Sequence, residues 1–243
     1  MYNLLISLAI TFVVAAAVAL GTGFGWVAAI VPALVAGIAA YILLARRSGK
    51  RLEKIFEEMQ KELSVQPPRF EKAIAALKGG FVLERWQFLT GAQLHAAIGQ
   101  ILYVKGDFDQ AVPHLEKSWV RQWVPRAMLA AARYKRRDVA GAVAAFEEAV
   151  KSSKKEGLLW STYAWVLEDA GKHDEAIRVA GRGTAILPKD EKLGSTLQTL
   201  QNGKKLKLGK VYGNEWYQFH LERPTQPLGP SLRGNRRALY GRG

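Results

Sequence analysis

Chemistry, if the chain performs any, would have to start from a short set of residues. The histidines are His95, His114, His173 and His220, and no two of them stand at a metal-ligand spacing. There is no cysteine, which removes a disulfide framework, a thiolate metal site and a cysteine nucleophile. The acidic pairs Glu57-Glu58 and Glu147-Glu148 lie in helical patterns beside lysines, where solvated charge is the expectation. Gly21, Gly23 and Gly25 have the look of a phosphate loop, but no strand precedes them and no acidic partner follows, so they read as a turn. No nucleophile elbow, P-loop or dinucleotide fingerprint occurs in a suitable context. The expectation is a protein that is not an enzyme, with no catalytic residues, no bound metal and no cofactor.

Attention therefore shifts to charge and to the elements that carry it. The 243 residues suffice for one sizeable domain or two small ones, and their formal net charge is +14. Residues 1–45 contain no Asp, Glu, Lys or Arg, so the whole excess lies downstream and favours anionic partners. Leu4 to Leu20 is an apolar run that would span roughly 26 Å as a helix. Trp26 to Ala45 is a second run, tolerating Pro32 and Gly37 as membrane helices do, with Trp26 and Tyr41 near its ends. A secretory signal fits less well, because no Lys or Arg precedes the first run and a second follows at once. Residues 1–45 are thus expected to form a transmembrane helical hairpin.

Arg46, Arg47, Lys50 and Arg51 follow the second run directly and would stay on the cytoplasmic side. That makes an integral membrane protein with both termini cytoplasmic, as in a bacterial inner membrane. The same four residues could contact anionic lipid. Leu52, Ile55, Phe56, Met59 and Leu63 form a helical stripe ended by Pro67-Pro68, and Phe70, Ala73 and Leu77 begin another helix. Residues 46–90 therefore read as a juxtamembrane helix and a possible degenerate repeat. Phe81 to Leu89 is apolar enough to be buried.

Between Gly91 and Asp190 one pattern recurs three times. Gly106-Asp107-Phe108 leads into Ala111, Leu115 and Ser118; Arg137-Asp138-Val139 into Ala142, Phe146 and Ala149; Gly171-Lys172-His173 into Ala176, Ala180 and Gly183, closed by Pro188. The alanine anchors are 31 and 34 residues apart. Upstream of them stand Ile98, Gly99 and Leu102, then Leu129 and Ala130, then Trp160, Tyr163, Ala164 and Leu167. Small residues at these places let antiparallel helices approach closely. The pattern resembles the tetratricopeptide repeat (TPR), over residues 91–190. Arg133 in the second unit and Trp123 in the closing-proline place of the first depart from it.

The resemblance implies an all-α fold: the hairpin, then a TPR-like α-solenoid, then a basic, partly disordered tail. It implies a groove lined by the first helix of each unit, with Gln93, Gln100 and Tyr103 from the first, Tyr134 from the second and Trp165 from the third. The lysine, asparagine and arginine set with which some members grip a peptide carboxylate is missing. An apolar, aromatic groove suits a hydrophobic peptide or helix, or else Tyr103, Tyr134 and Trp165 pack on the linker or tail of the same chain. Residues 191–203 hold a capping helix with Leu193, Leu197 and Leu200. Residues 204–243 combine a basic strip (Lys204, Lys205, Lys207, Lys210), the aromatic run Trp216-Tyr217-Gln218-Phe219, and an arginine-rich end. That run could pack on the domain, touch a membrane interface or stack on RNA. The reading of choice is a membrane-anchored scaffold for protein or peptide clients. A membrane-tethered RNA- or ribosome-associated factor acting through the tail is the alternative.

Overall fold

The computed structural model of the chain describes residues 1–22 and 25–222. Among them every regular element is helical, and they fall into two compact units, residues 1–94 and residues 95 onward.

The first unit begins with α1 (Tyr2–Thr22) and α2 (Gly25–Ser64). Both are long and apolar enough to cross a membrane. Their seam is built from small and polar residues. Ala29, Ala33 and Gly37 repeat every four positions on α2, and Ala29 and Ala33 are buried. A Cβ on Gly37 would collide with the Thr11 side chain, so the glycine sets the helix separation. Asn3 Nδ2 donates to Ser48 Oγ at 2.9 Å, tying the start of α1 to α2. The large side chains point outward: Phe12, Val27, Val31 and Leu43 are each at least 64% exposed.

α2 runs on without a break through residues 46–51, so the second apolar run and the juxtamembrane helix, given separate segments by sequence, are one helix. Nothing there opposes helix: Arg and Lys are good helix formers, and Gly49 costs only about 1 kcal/mol. The turn at Gln66-Pro67 ends α2, and α3 (Phe70–Gly79) packs back on it through Ala73, Ile74 and Leu77. The expectation that residues 81–89 are buried fails in part. A one-turn 3-10 helix (Gly80–Leu83) buries Leu83 but leaves Val82 exposed, and Phe88, in the turn that follows it, is exposed as well. A single short turn has only one inward side.

The second unit is a run of helix pairs. It comprises most of α4 (Thr90–Lys105) with α5 (Phe108–Glu116), then α6 (Trp123–Lys135) with α7 (Val139–Ser152), then α8 (Gly157–Asp169) with α9 (His173–Ile186). The anchors Ala111, Ala142 and Ala176 have no exposed surface, and Ala130 and Ala164 face them equally buried. Where the first helix of a pair carries glycine, the approach is closer still: a Cβ on Gly99 would clash with Leu115. Each turn within a pair has one left-handed residue at the same register, Gly106, Arg137 or Gly171. Asp107 and Asp138 then cap α5 and α7 by accepting from Gln110 N–H and Gly141 N–H. The fold is a TPR-like α-solenoid. Arg133, out of pattern by type, reaches sideways to Glu116 at 2.6 Å and to the Gly141 carbonyl. α10 (Glu191–Gln201) buries Leu193, Thr196 and Leu200 on the last pair, with Asp190 as its N-cap.

The chain does not stop at that helix. Residues 204–222 turn back as a strap containing two short helices, α11 (Leu208–Tyr212) and α12 (Asn214–Tyr217).

Candidate binding face

The first helices of the pairs present one face, and the strap lies on it. Leu206, Leu208, Tyr212, Trp216 and Phe219 are all buried. Tyr212 OH meets Ser161 Oγ of α8 at 2.8 Å, and Ser161 also bonds Thr196 of α10. The Trp216 ring stands edge-on to Trp165 at 5.3 Å, and Phe219 lies 6.3 Å from Trp123. Glu222 accepts from two indoles at once, Trp165 Nε1 at 3.2 Å and Trp216 Nε1 at 2.9 Å. Tyr103 OH donates to the Phe219 carbonyl. Burial disfavours the phenolate and pushes the Tyr103 pKa far up.

Of the five groove residues singled out by sequence, the strap covers two, Tyr103 and Trp165, which are 0% and 8% exposed. Tyr134 remains half-buried beside them. Its hydroxyl donates to Asp169 Oδ2 at 2.5 Å, and its pKa is pushed up to about 12, first by burial and then by that carboxylate. Gln100 is half-buried on α4, and Gln93 is half-buried within the first unit. Beside the strap lies a cleft of about 480 Å³ lined by Tyr134, Lys135, Arg137, Trp165, Asp169 and Leu221. Aromatic floor, two cations and one committed carboxylate make it suited to an apolar group bearing a negative charge.

The aromatic run therefore packs. Trp216 and Phe219 have no exposed surface to offer a base. Lys204, Lys205, Lys207 and Lys210 stay exposed beside it, and Arg233, Arg236, Arg237 and Arg242 of the tail lie outside the described residues. On α2, Arg46, Arg47, Lys50 and Arg51 are all exposed, spaced as two adjoining i, i+4 pairs, while Ser48 between them is buried toward α1.

Two other groups acquire partners that spacing did not suggest. His95 and His114 face each other with Nδ1 atoms 2.9 Å apart, brought together by the α4–α5 pairing. Among the described residues no three His, Asp or Glu side chains gather as a metal site. Glu147, expected to be solvated, is gripped by both Arg182 nitrogens at 2.7 and 3.0 Å and by Tyr163 OH at 3.1 Å. Arg182 above all holds its carboxyl below the usual range, against the opposing pull of burial. The expectation failed because that partner lies 35 residues away, one repeat further on.

The chain matches no protein-family model and no curated protein. Solved structures do resemble it. A crystal structure of MamA protein superposes with a TM-score of 0.49 at 16% identity, covering 80% of this chain and 98% of that one. A second crystal structure of MamA gives 0.44 at 18% identity, covering 62% and 86%. Both are likenesses of helical architecture at low identity, and the solenoid described above stands on this chain's own helix pairing.

Proposed function

We propose that the chain is a membrane-anchored scaffold or adaptor that recruits protein partners at the cytoplasmic face. One observation carries the binding half of this reading. The face of α4, α6, α8 and α10 already holds a peptide, the chain's own strap, through aromatic burial and a carboxylate shared by two indoles. A surface able to do this for one segment has the chemistry to hold another, and the open cleft at Tyr134, Lys135, Arg137 and Trp165 is where a partner segment extends it. The anchoring half is supported by the inverted hairpin, small residues inside and large apolar ones outside, which water would penalise and lipid would not. Arg46, Arg47, Lys50 and Arg51 hold the chain past α2 inside the cell and contact anionic head groups there.

The experiment is crosslinking of the full chain in intact membranes, followed by mass spectrometry, with wild type beside the double variant Tyr134→Ala, Arg137→Ala. Arg137 is exposed and Tyr134 half-buried, and neither belongs to the buried core, so the fold should survive. Loss of a protein client in the variant at unchanged protein level supports the reading. Unchanged clients sink the cleft, and recovery of RNA in place of protein, lost on truncation after Pro224, promotes the tail instead. Release of the chain by alkaline carbonate would remove the anchor.

A further inference from the structure

We propose that one end of the helical stack, where each pair hands over to the next, is a face that rests on an anionic lipid surface. Antiparallel pairing sends residues 117–122, 153–156 and 187–190 to the same end. They form a continuous surface: Ser152 Oγ donates to the Val120 carbonyl at 2.7 Å, and the Asp190 carboxylate packs so closely on Gly157 that a Cβ there would collide with it.

Two independent properties coincide there. The large apolar side chains exposed among the described residues of the second unit are Trp119 (36%), Val120 (37%) and Ile186 (45%), and all three lie at this end. Lys117, Arg121, Lys154, Lys155 and Lys189 surround them, all exposed and none in a salt bridge among the described residues. Of the nearby acids, Glu116 is held by Arg133 at 2.6 Å and Asp190 accepts from the Leu193 N–H, while Glu156 and Glu191 form no salt bridge among the described residues, so the five cations still outnumber the acids there. Arg121 lies over the Trp119 ring, 5.9 Å from its centroid. At the opposite end only part of the charge is answered, Arg136 by Asp109 at 2.9 Å and Lys172 by Glu175 at 3.2 Å, with Lys135 and Arg137 exposed; what that end lacks is the apolar tip, since none of the exposed large apolar side chains of the second unit is there.

An apolar tip containing tryptophan inside a ring of unpaired cations matches the layering of a membrane interface. The indole seats among head groups while lysine and arginine meet lipid phosphates. This inference rests on the anchored reading, because a tethered unit meets the bilayer at high effective concentration and a weak face then suffices.

The chain has no native cysteine, so single labels are clean. The full chain would be purified as Val120→Cys, Ile186→Cys or, at the opposite end, Arg137→Cys, each carrying an environment-sensitive fluorophore. It would be reconstituted in vesicles of phosphatidylcholine with phosphatidylglycerol, or of phosphatidylcholine alone. The expected result is a blue shift and several-fold stronger quenching by brominated lipid at positions 120 and 186 in anionic vesicles only. Salt should reverse it, Lys154→Gln with Lys155→Gln should reduce it several-fold, and position 137 should stay silent. Equal signals at 120 and 137, or none at 120 in anionic vesicles, overturn the proposal. So does a response to single-stranded RNA without one to vesicles. Failure of anchoring is read separately, as loss of the chain from phosphatidylcholine vesicles after an alkaline wash, and the labels still report the face when the protein is added from solution.

Discussion

The two units solve the same packing problem with opposite placements of bulk. In the repeats, Trp160, Phe146 and Leu167 fill the interior and alanines mark the crossings. In the hairpin, the interior is Ala29, Ala33, Gly37, Asn3 and Ser7, while Phe12, Val27 and Leu43 face outward. Water drives large apolar groups together, so a repeat gains by hiding them. A lipid surround offers no such gain, and helices there associate through close backbone approach and buried hydrogen bonds. On the anchored reading proposed above, the side on which bulk sits follows from the solvent around each unit.

The sharpest way to break this contrast is to remove bulk from each unit. Phe146→Ala should cost the second unit about 3–5 kcal/mol, whereas Phe12→Ala, on an outward position, should stay within about 0.5 kcal/mol. Thermal unfolding of the full chain in nanodiscs reads both, and equal losses would erase the distinction. Adding bulk should act on both units, through different readouts. Ala176→Leu should cost about 1–3 kcal/mol by overpacking. Gly37→Leu should part α1 from α2, seen as a reduced disulfide yield between Asn3→Cys and Ser48→Cys, whose parent side chains hydrogen-bond. An unchanged yield would mean that Gly37 does not set the spacing.

The smallest expected effect belongs to the strap. Burial, and then Lys135, lowers the pKa of His220 in the folded chain below its usual value near 6.5. The unfolded chain therefore binds the proton first. Stability from this group is complete above about pH 6.5 and falls as pH drops through 6.5 toward the lowered value. Melting temperatures at pH 8 and pH 5.5 should differ less in His220→Gln than in wild type. An identical difference would place the acid sensitivity elsewhere.

The repeat anchors were legible because a helix pair is a local object: Ala111, Ala142 and Ala176 meet partners within their own or the next unit. Continuity of α2 was hidden by charge, since Arg46 to Arg51 marks where the apolar run ends and not where a helix ends. Val82 and Phe88 were misplaced because apolar composition says nothing about which way a one-turn helix, or the turn after it, points its side chains. The aromatic run was recognised as a packing candidate, but its seat was not readable. Trp216 and Phe219 meet residues of three different helices, α4, α6 and α8, and no spacing rule links such distant positions.

That seat changes how the second unit should come apart. A stack whose members touch only their neighbours frays from its ends, one pair at a time. Here Tyr103 and Phe219 are bonded across 116 residues of chain. Fraying of the terminal helix would strip the cover from the opening pair, so loss at one extremity is felt at the other. Amide exchange across α4 to α10 should then approach a single opening free energy instead of a gradient, and the high contact order of the closure should make folding slower than for an open array of the same length.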